Sequence, residues 1–407
     1  MHSIGPFPYH PALTALPRPN MGAAFDLVQR GQTRRPRIAI TLGDAAGIGP
    51  ELIAKLLSNP ANSQRADIVL LADESEFRSA LADAGDLHVS LSSNPAGPRT
   101  IQILDDNTAS QYPVARGEIS VAGGARCLYQ LKKALSMVQA GEIDGIVFAP
   151  LNKSSLKLAG MTEEDELRWF AKQLNFEGTT SEINIAGPLW TGRVTSHIPL
   201  AGVAERITQR SVSNAIELLH RLRYAPRLCL TCRSLNCDRW ESGIDSPRLA
   251  VCALNPHNGE NGSFGRQEID HIRPAVAAAR ENGVDVQGPY PCDTIFLKRE
   301  HFDGIITMYH DQGQIAMKLL SFDGGVTVQG GLPMPVATPA HGTAFDIAGK
   351  NMADVKSTQN AFDIAVTMAE RKISKGVRPQ QQGLDFQLTK AGVPVTKTTV
   401  VEVLSCC

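Results

Sequence analysis

From Arg37 to Arg371 short apolar runs of strand character alternate with longer stretches of helical periodicity. The runs are RIAITLG, DIVLLAD, RTIQIL, GIVFAP, SEINIAG, RVTSHI, RLAVCALN, GIITMYH and GVTVQGG. Helical spacing is clearest from Gly124 to Gly141, Ala204 to Leu222, Glu268 to Asn282 and Gln359 to Arg371. Strands separated by helices rejoin a sheet by crossover, so this pattern specifies an α/β fold with largely parallel sheets and flanking helices. In such folds active groups collect at the carboxyl ends of strands. A chain of 407 residues divides most naturally into two lobes.

Charge narrows the partners. Lys and Arg number 40 against 41 Asp and Glu, so no field recruits nucleic acid or an anionic membrane, and no apolar stretch reaches spanning length. Eight cysteines in so long a chain do not form the framework of a small secreted domain, and a reducing, cytoplasmic setting is expected. Cys229, Cys232 and Cys237 have the spacing C-x2-C-x4-C, but no second pair completes four zinc ligands. They fall within residues 223–242, which interrupt a helix–turn–strand passage and read as a surface insertion. Residues 1–36 read as a disordered extension in preference to a mitochondrial presequence, and residues 372–407 as a C-terminal extension.

Three histidines sit where strand-like runs enter polar turns: His197 in VTSHIPL, His257 in ALNPHNGE and His310 in ITMYHDQG. Three imidazoles can hold one divalent metal and leave positions open for a substrate. That suits catalysis, because a structural zinc fills its fourth position with protein. The separations of 60 and 53 residues leave their union to the tertiary fold, and spacing alone favours hydrogen-bonded turn residues.

Two glycine-rich passages add a nucleotide theme. TLGDAAGIGPEL sets Gly43, Gly47 and Gly49 before Pro50 at the start of a helix, where backbone amides can approach a ligand. Without G-K-[ST] or G-x-G-x-x-G, it serves a simple tight turn equally well. In PAHGTAFDIAGKNMAD, the loop of His341, Gly342 and Thr343 could meet a nucleotide base. This passage resembles the adenosine-binding loop of the isocitrate and isopropylmalate class of dehydrogenases, which also begin with a GDGIGPE-like turn.

Together with FAPLNKSSLKLAG, TSHIPL, LNPHNGENGSFGRQEID, GPYPCDT and MYHDQGQIAMKLL, these passages extend the likeness over residues 37–371. The chain resembles the 4-hydroxythreonine-4-phosphate dehydrogenase family, the PdxA-like enzymes. Relatives there act on 4-phosphoerythronate, 4-phosphothreonate or carboxylated cyclohexadiene diols. The resemblance implies a homodimer of two interleaved α/β lobes of isocitrate/isopropylmalate dehydrogenase-like fold, with the site in the cleft. It also implies a divalent metal on His197, His257 and His310, NAD or NADP as hydride acceptor, and a substrate contact from Lys318. Zinc leads for the metal, with magnesium, manganese and cobalt also compatible. Asp293 and Asp311 fall in acidic positions near the metal, where each could orient a ligand histidine or move a proton.

The substrate positions depart from the family pattern. Its G-H-T-E histidine and threonine are replaced by Glu166 and Leu167 in MTEEDELRWFA; its GVNI asparagine and LPFIR arginine are replaced by Thr327 and Val336. A lost arginine removes two-pronged, charged hydrogen bonds to phosphate, each worth roughly 1.5–3 kcal/mol. Glu166 in the same pocket would repel an anion, and Lys153 or Arg168 would have to compensate. The expected reaction is metal-assisted, NAD(P)-linked oxidation of a secondary alcohol in a small hydroxy acid, phosphorylated or not, with decarboxylation where a carboxylate lies β to the new ketone. The alternatives are a dehydrogenase of a non-phosphorylated carboxylated diol, or a degenerate metal- and nucleotide-binding protein.

Overall fold

The structure, a computed structural model, describes residues 34–94, 100–224, 244–321 and 324–374. The 223–242 insertion with its three thiols falls almost wholly outside the described residues, as do residues 1–33 and 375–407.

Twelve strands form one sheet. They are β1 (Arg37–Thr41), β2 (Asp67–Ala72), β3 (Leu91–Ser92), β4 (Ile101–Asp105), β5 (Gly145–Phe148), β6 (Ser181–Ala186), β7 (Leu189–Arg193), β8 (Leu249–Cys252), β9 (Val286–Tyr290), β10 (Gly304–Thr307), β11 (Val326–Gly330) and β12 (Val336–Pro339). Their spatial order is β3-β4-β2-β1-β5-β12-β11-β6-β7-β10-β8-β9. The pairings β12–β11, β11–β6 and β6–β7 are antiparallel and the remainder parallel, so two parallel wings meet at an antiparallel centre. Helices of eight or more residues are α1 (Gly49–Ser58), α2 (Glu74–Asp83), α3 (Val121–Gln139), α4 (Glu166–Gln173), α5 (Gln209–Arg223), α6 (Arg273–Glu281), α7 (His310–Leu320) and α8 (Lys356–Ser374).

The residues explain the arrangement. GIVF of β5 and LAVC of β8 are buried throughout, because interior parallel strands are covered on both faces. Towards the edge, β4 reverts to alternation, with Ile101 and Ile103 buried and Gln102 and Leu104 only partly so. The helical stretch expected from Ala204 to Leu222 divides: α5 starts afresh at Gln209, capped by Thr208 in a reciprocal box with Ser211. RVTSHI is corrected as a strand. The strand is LWTGR, ending at Arg193, and His197 lies in the turn beyond it.

Candidate active site

Strand register brings two of the three histidines together. Arg193 at the end of β7 is level with Thr307 at the end of β10. Pairing runs on through Val194 N–H to Thr307 O at 2.9 Å and Thr195 N–H to Met308 O at 3.0 Å. His197 and His310 leave from these level ends, and their ring centroids lie 5.6 Å apart. Each ring has a carboxylate on Nδ1: Asp165 Oδ2 on His197 at 2.9 Å and Asp311 Oδ1 on His310 at 2.7 Å. No hydrogen bond to either Nε2 occurs among the described residues, so both nitrogens are available to a cation.

His257 is placed differently. β8 lies on the other side of β10, and beyond it the chain enters a left-handed turn in which His257, Asn258, Gly259, Glu260 and Asn261 all have positive φ. The imidazole is exposed, its neighbouring ring being Phe264 at 6.3 Å; among the described residues the 4.8 Å ligand group that contains His197 is completed by Asp165 and Glu182 and includes neither His257 nor His310. Wholly buried Glu268 holds the turn's base. Its Oε1 accepts Leu254 N–H at 2.9 Å and Asn255 N–H at 2.8 Å, and its Oε2 accepts Asn255 Nδ2 at 3.0 Å. At Gly259 a Cβ would stand 2.6 Å from Glu268 Oε2, so both the left-handed φ and the close approach require glycine.

Acidic and basic groups crowd the other side of His197. Asp165 opens α4 by accepting Arg168 N–H at 2.9 Å and also bonds the Arg168 guanidinium, while buried Arg193 pairs with Glu182. Burial alone would raise the Asp165 pKa, but the His197 bond, the Arg168 amide and the Arg168 charge outweigh it and hold the carboxyl below its ordinary value. Burial pushes Glu166 upward; Lys153 opposes this, while Glu182 and Asp165 add to it. The Glu166 carboxyl makes no hydrogen bond to another residue among those described. Asp165, Glu182 and His197 lie close enough to resemble a metal site, but their oxygens already serve Arg168, Arg193 and the His197 ring.

Nearby, a cleft of about 560 Å³ is lined by Asn184, Gln314, Lys318, His341, Gly342 and Asp354, among others. The two glycine passages meet here. Ile48 N–H donates to Thr343 O at 2.9 Å, and a Cβ on Gly47 would stand 2.5 Å from that same oxygen. Buried Glu51 accepts Ala353 N–H at 2.8 Å and Asn351 N–H at 3.2 Å, tying α1 to the end of the histidine loop. Gly342 is exposed with open space beside its Cα, so a planar ligand can approach the backbone there.

The remaining candidates separate. Asp293 and Asp311 are exposed, as is Lys318 at the cleft. Thr327 is half-buried and accepts Asn184 Nδ2 at 3.0 Å, which places it behind the cleft wall. Leu167 and Val336 are corrections to the expected substrate set: they are 2 % and 0 % exposed in one apolar cluster with Trp169 and Phe170. Leu167 is on the inner face of α4, and Val336 is covered between β5 and β11, so both act in packing.

A family profile described as "Pyridoxal phosphate biosynthetic protein PdxA" matches residues 64–365. The chain belongs to the PdxA family. It is 49 % identical over 350 residues, 83 % of its length and 98 % of the other's, to a Pseudomonas aeruginosa protein provisionally named 4-hydroxythreonine-4-phosphate dehydrogenase 2. The crystal structure of a 4-hydroxythreonine-4-phosphate dehydrogenase from Klebsiella pneumoniae, 32 % identical, matches with TM-score 0.68 over 84 % of this chain and 100 % of that one. A terephthalate 1,2-cis-dihydrodiol dehydrogenase from Burkholderia xenovorans LB400, 27 % identical, matches with TM-score 0.57 over 82 % and 98 %. As a PdxA-family member, the protein is an oxidoreductase acting on a CH–OH group. No helix of its described residues is long and apolar enough to cross a membrane.

Within this PdxA framework, reading the sequence missed four residues. Asp165 and Glu268 support His197 and the His257 turn, and Asn184 lines the cleft. Gln312 joins two strand ends, accepting Met308 N–H at 2.8 Å and donating to Ala253 O at 3.0 Å. Gln312 stands in the quoted MYHDQG motif and Glu268 in the quoted LNPHNGENGSFGRQEID stretch, so both were visible without a role. Asp165 carried a cap signal, an acid opening a periodic segment.

Proposed function

We propose that this PdxA-family protein is an NAD(P)-linked, divalent-metal-dependent dehydrogenase of a small non-phosphorylated hydroxy acid or carboxylated diol. The observation that carries it is the His197–His310 pair, each ring bonded to a carboxylate at Nδ1 with its Nε2 unused, beside guanidinia already paired with acids. Two neutral imidazoles fit zinc or a similar ion, and His257 completes the set. Because His257 is exposed on its own turn, it reaches the pair by movement of that turn or from a second copy of the chain in a homodimer. Ile315 and Leu319, 60 % and 83 % exposed one helical turn apart on α7, give such a copy an apolar face to cover.

When bound, the metal supplies Lewis acidity that lowers the pKa of the substrate hydroxyl, and the dinucleotide accepts the hydride. The chain's own groups do the rest. The loop of His341, Gly342 and Thr343, braced by Ile48 and Glu51, positions the dinucleotide in the cleft. Lys318 binds the substrate carboxylate at the same cleft, with Thr327 holding the Asn184 amide of its wall. Asp311 and Asp293, both exposed, pass the released proton to water. Arg168 and Arg193 are committed to Asp165 and Glu182, and Glu166 adds a further carboxyl, which disfavours a phosphate dianion. A reducing cytoplasm, in which Cys127, Cys252 and Cys292 remain free thiols, is the compartment we assign.

The name of the Pseudomonas aeruginosa relative favours a second reading, oxidation of 4-hydroxythreonine 4-phosphate itself. Initial rates of NAD(P)H formation with zinc, magnesium, manganese or cobalt separate the two. Unphosphorylated hydroxy acids and carboxylated cyclohexadiene diols should be turned over with kcat/KM at least about tenfold above the phosphate ester, equivalent to about 1.4 kcal/mol. The reverse order overturns the substrate assignment. His310→Ala and His257→Ala should each abolish turnover, and undiminished activity in either removes that residue from the metal site.

A further inference from the structure

Asp165 serves two partners at once. Its Oδ1 accepts Arg168 N–H and opens α4, while its Oδ2 lies 2.9 Å from His197 Nδ1. The carboxyl is wholly buried, whereas Asp311, the acid on the neighbouring imidazole, is 69 % exposed. A carboxylate only accepts hydrogen bonds, so the hydrogen in the shared bond belongs to Nδ1, and a ring carrying one hydrogen then has its lone pair on Nε2. We infer that Asp165 is a positioning residue that fixes the tautomer of His197, so that Nε2 is the nitrogen offered to the metal. The inference rests on the metal reading above and assigns to one side chain a task that the exposed Asp311 can perform only weakly.

Asp165→Asn tests this; because Oδ2 also accepts from the Arg168 guanidinium, Arg168→Gln, which removes that contact and leaves the carboxylate, is its control. Asparagine is as good a helix cap as aspartate. The cap keeps the amide oxygen toward Arg168 N–H, so the amide nitrogen must face the ring and donate to Nδ1. The ring hydrogen then moves to Nε2, where it blocks coordination. Arg168 retains Glu164 at 3.4 Å.

Zinc affinity of the full chain is measured by competition with a chromogenic chelator, alongside thermal melting. Asp165→Asn should weaken zinc by about ten- to a hundredfold relative to Arg168→Gln, which shares its loss of the guanidinium contact and should bind zinc as the wild type does, because an outer partner of a ligand histidine is removed. Asp311→Asn should shift affinity by less than about threefold, as expected for a solvated pair. Wild-type affinity in Asp165→Asn overturns the inference. Failure of the wild type to take up zinc, or full affinity in His197→Ala, overturns the metal reading instead. The ring state is read separately from 15N spectra of metal-free wild type, with His197 assigned by its loss in His197→Ala. Hydrogen on Nδ1 supports the inference and hydrogen on Nε2 overturns it, even if Asp165→Asn fails to fold.

Discussion

His257, Asn258, Glu260 and Asn261 all occupy the left-handed region, at a cost of about 1–2 kcal/mol each for an ordinary residue and less for asparagine. Something must offset that strain, and Glu268 is the group placed to do so, its fully buried carboxylate accepting three hydrogen bonds. Glu268→Gln replaces one oxygen by a donor, which on the Oε2 side confronts Asn255 Nδ2. It should lower stability by about 2–3 kcal/mol in urea unfolding, the scale of charged hydrogen bonds lost in a buried site. A loss under about 0.5 kcal/mol would show that the turn is held by other contacts. The polar turn was legible in PHNGENG; its hand and its buried brace were not, because both depend on a glutamate packed from the following helical segment.

Among the elements, α2 shows how a cap sets pH dependence. Asp73 accepts Ser75 and Glu76 N–H at the helix start and Ala109 N–H with its other oxygen. Burial by itself would raise its pKa, but the Ser75 hydroxyl, these amides and Arg126 outweigh it, leaving the group below its ordinary value. An acid depressed in the folded state stabilises the fold above its unfolded pKa, and that contribution is lost as pH falls through the folded value. Asp73→Asn should therefore cost about 1–2 kcal/mol at pH 7. The gap from wild type should begin to narrow below about pH 4, the ordinary aspartate range, and close only below the depressed folded value, so it is smaller at pH 3 than at pH 7. Parallel unfolding curves at pH 7 and pH 3 check this, and a constant gap would rule out the charge as its source. The same scale shows where pattern reading stopped. The long helices and most strands were visible as apolar periodicity. LWTGR of β7 and VATP of β12 were not, since a glycine or a proline breaks the β-branched signal and only neighbouring strands make them strands.

For the whole molecule, the order of the sheet decides which histidines meet. β7, β10 and β8 are neighbours although 52 or more residues separate successive members, so the ends of three distant segments converge on one edge. Whether the third ligand comes from the same copy is a question of assembly. Mixing His257→Ala and His310→Ala subunits answers it. If His257 is supplied by the other copy, mixed dimers contain one intact site and recover activity; if it comes from within, no site is whole and activity stays absent. The first outcome is expected, because His257 is exposed on a turn of its own while His197 and His310 face each other within one chain.

By itself the sequence determined the α/β class, the three histidine turns, the two glycine passages and the PdxA kinship. Each is written in contiguous residues whose local chemistry repeats wherever it is used. Only the tertiary structure decided that Leu167 and Val336 are core, that Asp165 bonds the His197 ring and Glu268 the base of the His257 turn, and that His197 and His310 face each other while His257 lies on a turn of its own. Burial and strand register are properties of neighbours that are remote in the chain, and no local pattern encodes them.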